Sequence, residues 1–540
     1  MRKLIIFIAL ISLPVLSFAQ GWQEFYSKGM VAYKNKDYKN AVTMFLKSRV
    51  KASEQFGNKN ETYRTVVLYL AKSYQELEDY GNAAVNYLDL ERAFKEDRAT
   101  GTSEYADMLE GLAHCYLSGK KYGKAAENFT KCLQARERLD GKDSKEYLST
   151  AYELANLCLI GQKYDLAKGY FGTLYESGRK VYSPTSEEFR EIIAGSGEVA
   201  FRTRKYEDAI AKFNEHIAFS EKAKADKKEF VESYERVAAS YYKLENKERA
   251  VGSYKEYLGI LSQVKDLEEQ YAKEISNTIN LFVKLEENKE ALVLLDKKLK
   301  LIEEGKGAES IEYADALKEK AGVLKLEKEY DQAGEALAKS AEIKEKVLGK
   351  KAPAYASALS DVADLYIEAK KFDLAESKLI EAQKLREENL GKDHLDYLQG
   401  QDLLAEFYIG QEKYVEADTV LSRTLVLKEK KFKKNHGEYA NTLALKGKMR
   451  ALQEKDKEAE ALLVEALNTF GNYSGRSTKE YTLCSKALGD LYKKQEKYPE
   501  AMKAYRASLS VFAKIGMAKS PEADEVHKSV EEINKALEGK

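Results

Sequence analysis

Small apolar residues recur along the chain with a period of about 42 residues. Nine of the eleven steps between successive alanines are 42 residues long, and two are 41. A second small position, Gly or Ala in eleven of twelve copies, lies 12 residues before each alanine. An aromatic residue lies 21 or 22 residues after the alanine in all eleven internal copies. The alanines of the series are Ala41, Ala83, Ala125, Ala167, Ala209, Ala250, Ala291, Ala333, Ala375, Ala417, Ala459 and Ala501.

This spacing predicts antiparallel helical hairpins. Small residues on two facing helices let the helix axes approach closely. An aromatic residue four positions after the alanine, such as Phe45 after Ala41, lies on the same helix face and fills the seam. A turn such as Gly119-Lys120-Lys121 falls between the two small positions. Because one hairpin cannot bury its apolar face alone, we expect neighbouring hairpins to stack into a continuous core.

The pattern resembles the tetratricopeptide repeat, which has the same order of small residue, alanine and aromatic residue. The resemblance covers roughly residues 23–517. The longer unit and linkers such as Leu390-Gly391-Lys392-Asp393-His394 resemble the repeat variant of kinesin light chains. The resemblance implies an all-α, right-handed superhelical solenoid of about twelve antiparallel helical hairpins. HEAT-type repeats, of similar length, are the structural alternative, although they do not predict the 12-residue step.

The first 19 residues have the pattern of a signal peptide. Arg2 and Lys3 precede an apolar stretch from residue 4 to 16, and Ser17-Phe18-Ala19 is a small-x-small cleavage site. This stretch is shorter than the roughly 20 residues that cross a bilayer. We therefore expect an extracytoplasmic protein, periplasmic or secreted from a bacterium, that is soluble after cleavage and has no integral membrane segment.

The remaining chain divides by the same pattern into an array and a cap. Residues 20–519 are predicted to form the repeats, and residues 520–540 a polar C-terminal capping helix. Two shortened copies place one-residue deletions in the second helix, or in the following loop, of repeats five and six.

Composition argues against nucleic acid as a partner and supports the helical prediction. The 89 basic and 89 acidic residues cancel, so no overall field attracts nucleic acid. Five prolines in 540 residues favour helices, because proline interrupts them. Much of the abundance of tyrosine is explained by the repeated seam and linker positions. Composition does not indicate the oligomeric state.

Candidate chemistry is sparse and has structural interpretations. The string Gly195-Ser196-Gly197 resembles a dinucleotide motif, but Gly197 occupies the small position of repeat five. His394 and His436 share one linker position in adjacent repeats, which leaves a metal site as a minor alternative. A disulfide between Cys132 and Cys158 is also left open. With no catalytic constellation and no segment left over to form a catalytic domain, we expect neither enzymatic activity nor a cofactor.

The resemblance to the family also implies a binding surface. The concave groove would be lined by first-helix residues three before and one, four and five after the small position. In repeats three to six these positions include several apolar and aromatic residues. In the later repeats the charged residues at these positions form bands, basic in repeats seven and eight, acidic in nine and ten, and basic again in eleven and twelve. The candidate partner-binding residues are Leu117, Tyr152, Asn156, Leu159, Phe201, Tyr242, Lys325, Asp364 and Glu406.

These features favour an exported scaffold that mediates protein–protein interaction. It would hold a protein or an extended peptide in the groove without a chemical step. One alternative is a structural envelope protein that assembles with itself through terminal repeats or the convex face. Another is an accessory hydrolase or carbohydrate-binding protein with a cryptic site.

Overall fold

The computed structural model describes residues 21–473, 475 and 477–538. Over these residues the chain forms 25 α-helices and no strand, so the all-α repeat architecture is confirmed. The predicted signal peptide lies outside the described residues. In chain order the helices are α1 Gly21–Lys34, α2 Tyr38–Phe56, α3 Glu61–Glu76, α4 Tyr80–Glu96, α5 Ser103–Ser118, α6 Tyr122–Leu139, α7 Lys145–Ile160, α8 Tyr164–Val181, α9 Glu187–Arg202, α10 Tyr206–Ala223, α11 Lys227–Lys243, α12 Lys247–Leu261, α13 Glu268–Lys284, α14 Asn288–Lys306, α15 Ile311–Leu326, α16 Tyr330–Leu348, α17 Pro353–Glu368, α18 Phe372–Leu390, α19 Leu395–Gly410, α20 Tyr414–Phe432, α21 Gly437–Leu452, α22 Asp456–Tyr473, α23 Lys479–Lys494, α24 Tyr498–Lys514 and α25 Pro521–Glu538.

The helices belong to two compact units. The first unit ends at Glu274 and the second begins at Ile275, within helix α13. Odd-numbered helices from α1 to α23 are the first helices of the repeats, and even-numbered helices from α2 to α24 are the second helices. Helix α25 packs on α24 and contributes Ala523, Val526 and Ile533 to the last core cluster.

Every turn inside a repeat uses the same strained backbone conformation. The residue five positions before each alanine has a positive φ between 55° and 62°, although none of these residues is glycine. In repeat three, Lys121 N–H donates to the carbonyl of Tyr116, and Lys120 N–H donates to that of Leu117. Such bonds satisfy the last carbonyls of the first helix and offset the cost of the left-handed residue, about 1–2 kcal/mol. The residues are Lys36, Glu78, Lys120, Gln162, Arg204, Glu245, Glu286, Lys328, Lys370, Glu412, Glu454 and Glu496.

The small residues meet at the predicted seam. All twelve alanines of the series are completely buried. A Cβ atom added to Gly29 would lie 2.6 Å from the ring of Phe45, and one added to Gly197 would lie 2.9 Å from that of Phe213. The aromatic residue of the second helix therefore packs directly on the backbone of the first helix.

The Gly195-Ser196-Gly197 string is explained by two aromatic rings from two repeats. Gly197 faces Phe213 of its own repeat, whereas a Cβ atom on Gly195 would overlap Phe171 of the preceding repeat. A Cβ atom on Gly111 would likewise overlap the ring of Tyr87 in the preceding repeat. The glycine two residues before the small position thus lets one repeat approach the next, which the sequence pattern did not reveal.

The two shortened repeats lose their residue in different places. After α10 only residues 224–226 precede the next helix, whereas residues 182–186 follow α8. Helix α12 has 15 residues, compared with 18 in α10. Repeat five is therefore shortened in its loop and repeat six in its second helix, within the limits predicted from the spacing.

Gly195→Ala is expected to destabilise the protein by about 1–3 kcal/mol, because the new methyl group overlaps the Phe171 ring in a filled core. Gly169→Ala is the matched control, since its Cβ meets no atom within 4 Å and alanine favours a helix over glycine by about 1 kcal/mol. Urea unfolding followed by circular dichroism should lower the midpoint of the first variant and raise that of the second. A Gly195→Ala midpoint at or above that of wild type would disprove the proposed contact.

Candidate functional site

The first helices of successive repeats lie beside one another. In the first unit α3 contacts α5, and α9 contacts both α7 and α11. In the second unit α19 contacts α21, α21 contacts α23, and α23 contacts α25. We call the surface that these helices form in each unit the A-helix face. The candidate partner-binding residues all belong to first helices.

Two of the candidates in repeat four form one polar cluster. Tyr152 lies close to the side chains of Asn156 and Glu191, and burial raises its pKa to about 12. Its ring lies 6.1 Å from that of Phe171 in an edge-to-face arrangement. Glu191, whose pKa is raised by burial, was not predicted from the sequence. This cluster can present a hydroxyl, an amide and a carboxyl group to one ligand.

The leucine candidates are partly core residues. Leu117 and Leu159 are half-buried, and both pack against the hydrophobic cluster of repeats three to five. The remaining exposed part of each side chain adds apolar surface next to the cluster around Tyr152.

Phe201 and Tyr242 are both half-buried, and an arginine covers Phe201. The guanidinium of Arg236 lies 5.2 Å from the centroid of the Phe201 ring, within the range of cation–π attraction. Arg236 Nε also contacts Glu198 Oε2 at 2.9 Å. Arg236 lies two residues before the small position, outside the positions that the family pattern places in the groove.

Lysines of the A-helix face pair with the next first helix. Lys325 Nζ lies 2.6 Å from Glu368, and Lys318 Nζ lies 2.7 Å from Asp361. Lys486 and Lys493 make the corresponding pairs with Glu525 and Glu532 of α25. Much of the banded charge therefore joins neighbouring helices within the protein.

The acidic candidates have different environments. Asp364 is half-buried beside Lys325, and burial raises the pKa of its carboxyl group. Glu406 is exposed and has no ion pair with any residue that the structure describes. Of the two, Glu406 is the free charge that a ligand can meet.

Buried cations eleven residues after the alanine were missed by sequence reasoning. Lys428 is completely buried and lies 2.6 Å from Asp402 and 3.1 Å from Glu438. Arg136 pairs with Asp107, and Lys344 lies 2.8 Å from Asp315. Arg386 donates hydrogen bonds to Ser360 Oγ and to the carbonyl of Ala356. The regular spacing from the alanine was the available signal, but the residue type at this position varies between repeats.

A continuous groove crosses the A-helix face of repeats ten to twelve. One cavity of about 340 Å³ lies among α19, α21 and α23, and another of about 640 Å³ lies among α21, α23 and α25. Both are lined by Lys448 and Leu483. Among the described residues, the ammonium group of Lys448 has no hydrogen-bond or ion-pair partner. We call these joined cavities the A-face groove.

The histidines and cysteines singled out from the sequence, His394, His436, Cys132 and Cys158, have structural roles. His394 Nδ1 accepts a hydrogen bond from Asp396 N–H, and His436 Nδ1 accepts one from Glu438 N–H, so each histidine caps its helix. Cys132 and Cys158 are buried free thiols, and Cys132 Sγ donates to the carbonyl of Ala106. In the described ranges, no group of three or more side chains is arranged to hold a metal ion.

No described helix combines the length and apolar character needed to cross a bilayer. The repeated seam, the stacked hairpins and the A-helix face define a helical repeat scaffold. Residues 312–388 match the family model of the tetratricopeptide repeat. Proteins of this family mediate protein–protein interaction and are typically non-catalytic.

Several solved structures are similar to parts of the chain. The C-terminal part of a TPR repeat-containing protein from Cytophaga hutchinsonii is 13% identical, with 51% of this chain and 95% of that chain covered and a TM-score of 0.39. A tetratricopeptide repeat protein from Parabacteroides merdae is 16% identical, covering 52% and 92%, with a TM-score of 0.34. TPR-like repeats of a kinesin light chain-type protein from Podosopora anserina are 11% identical, covering 37% and 95%, with a TM-score of 0.34. No curated protein matches the sequence.

Lys428→Met is expected to destabilise the protein by about 3–5 kcal/mol, because it leaves the carboxylates of Asp402 and Glu438 without their buried counter-ion. Combining it with Asp402→Leu should restore part of the loss. Lys430→Met, on the exposed side of the same helix, is the control and should leave the urea midpoint unchanged. Equal midpoints for Lys428→Met and the control would show that the buried cluster does not stabilise the repeat.

Proposed function

We propose that the protein is an exported, non-catalytic scaffold that holds a protein partner as an extended segment along the A-helix face. The A-face groove is the observation that carries this proposal. It runs across α19, α21, α23 and α25 and combines apolar side chains with the charges of Lys448 and Glu406, which have no partner among the described residues.

The groove has the composition of a peptide-binding surface. Leu452, which is 57% exposed, and Leu483 supply apolar contact area. The Lys448 ammonium and the Glu406 carboxylate lie along the same surface and would fix the direction of a bound segment. Apolar contacts supply most of the binding energy in such grooves, whereas a few charges select the partner.

The first unit would supply a second set of contacts. Tyr152, Phe201 and Tyr242 are half-buried aromatic residues of first helices, and aromatic side chains are frequent anchors of protein interfaces. The Arg236 guanidinium lies over Phe201 and already pairs with Glu198 and Glu232, so it would hold the Phe201 ring in place for the partner. Leu117, Asn156 and Leu159 extend this surface, and Lys325, Asp364 and Glu406 are its proposed counterparts in the second unit.

Two further parts of the proposal rest on the sequence and the family. Export is inferred from the signal-peptide pattern of residues 1–19. The absence of a chemical step is inferred because helical repeats account for nearly all of the described chain, and because the family typically lacks catalysis.

Site-specific photo-crosslinking in the native cell tests the binding surface. A benzoylphenylalanine at Ala487, which lines the A-face groove, is expected to capture a protein partner. The same side chain at Val415, which is 79% exposed on the second helix α20, is the matched control. Lys448→Glu should reduce capture from position 487, since it reverses the unpaired charge of the groove.

A second arm of the experiment addresses the first unit. The double variant Phe201→Ala and Tyr242→Ala should lower recovery of the same partner in a crosslinking pull-down. Equal capture from positions 487 and 415, with no effect of Lys448→Glu or of the double variant, would contradict binding along the A-helix face.

Export has its own test. N-terminal sequencing of the protein recovered from outside the cytoplasm should begin at Gln20, because cleavage is predicted after Ala19. Full-length protein that begins at Met1 and remains in the cytoplasm would show that residues 1–19 are not a signal peptide.

A further inference from the structure

A separate cleft lies between the second helices of repeats four and five. It has a volume of about 550 Å³, with α8 and α10 as its walls and α9 as its floor. Val199 and Ala200 make the floor apolar, and Phe171 adds an apolar surface on the α8 wall. Small-molecule sites in proteins are commonly mostly apolar cavities of about 300–1,000 Å³ with a few placed polar groups.

A glycine opens this cleft. Gly172 lies five residues after the alanine of its repeat, where the first two repeats have Leu46 and Leu88. A Cβ atom at Gly172 would meet no atom within 4 Å, so the space beside it is empty of protein. Glycine inside a helix lowers the stability by about 0.5–1 kcal/mol relative to alanine. At Gly172 this loss of stability leaves the cavity open.

Positive charge collects at one end of the cleft. Lys168 lies in the first turns of α8, and Lys205 directly precedes α10. Neither ammonium group has a hydrogen-bond or ion-pair partner among the residues that the structure describes. The ammonium group of Lys212, farther along α10, has partners within the chain. It lies 3.5 Å from the centroid of the Tyr175 ring and 2.9 Å from Glu215.

The carboxylates of the lining do not neutralise this end completely. Glu176 lies near the other end of α8, at 4.0 Å from Arg179. Asp208 is in the first turn of α10, where the helix dipole stabilises a carboxylate. One carboxylate therefore accompanies the two unpaired ammonium groups, which leaves room for a second anion.

We propose that this cleft binds a small aliphatic carboxylate. The hydrocarbon chain would lie on Phe171, Val199 and Ala200 in the space beside Gly172, and the carboxylate would accept hydrogen bonds from Lys168 and Lys205. This site is independent of the proposed peptide-binding groove, because it is formed by other residues and takes a ligand of another class.

Isothermal titration calorimetry with decanoate, below its micelle-forming concentration, tests the assignment on the purified protein. Wild type is expected to bind one decanoate per chain. Decanol, which has the same chain without the charge, should bind at least roughly tenfold more weakly, because it lacks charge-assisted hydrogen bonds. Absence of saturable decanoate binding, or equal affinity for decanol, would overturn the proposal.

Two pairs of variants locate the ligand. Gly172→Leu restores the side chain of the first two repeats, fills the cleft and should abolish binding, whereas Gly252→Leu, at another open helical position, should bind as wild type does. Lys168→Gln with Lys205→Gln should weaken binding roughly tenfold or more, unlike Lys222→Gln on the exposed end of α10. A thermal midpoint of Gly172→Leu at or above that of wild type is expected from its helix propensity and verifies folding. Unchanged affinity in Gly172→Leu would show that decanoate binds elsewhere.

Discussion

Each repeat depends on the contact between a small residue of its first helix and the alanine and aromatic ring of its second. The distance between the two helix axes is determined there, because a Cβ atom at Gly29 or Gly197 would already strike the ring that packs on it. Because the two axes are close, residues on the sides of both helices that face away from this contact can pack against the next repeat. The single larger residue of the series, Ile279, is itself almost completely buried. The same contact also explains why glycines appear at Gly111 and Gly195, where the ring of one repeat meets the backbone of the next.

Ion pairs and hydrogen bonds add further contacts between the helices that the apolar seam holds together. Cations such as Lys428 and Arg136 enter from the second helix and bind carboxylates of the first, and Lys325 and Lys318 join first helices of successive repeats. A buried cation without its carboxylate would be costly, so these pairs specify which helices must lie together. They also remove charges from the binding surface. Asp402, which lies at a groove-lining position of its helix, has its two oxygens engaged by Lys428 and Thr442.

One repeated frame can therefore carry surfaces of different chemistry. On the A-helix face of repeats ten to twelve, unpaired charges beside leucines suit an extended protein segment. Between α8 and α10, removal of one side chain at Gly172 opens a cavity with an apolar floor and a cationic end. In both places the backbone follows the repeat, and the difference comes from side chains that do not take part in the seam. Binding surfaces on such a scaffold can change without disturbing the contact that holds each hairpin together.

The sequence by itself determined the helices, the hairpins and their number, because these depend on residues within one period of 42 and on the regular geometry of an α-helix. Small positions such as Ala41 and Gly197, and the turn before each alanine, could be located in this way. Only the tertiary structure decided which charges are free. Lys325 is neutralised by Glu368, 43 residues later, whereas Lys448 has no partner in the described chain. It also placed Arg236 over Phe201 and opened the cleft beside Gly172. These outcomes depend on how far apart neighbouring repeats lie and how their helices are rotated, and a periodic pattern in one chain does not contain those distances.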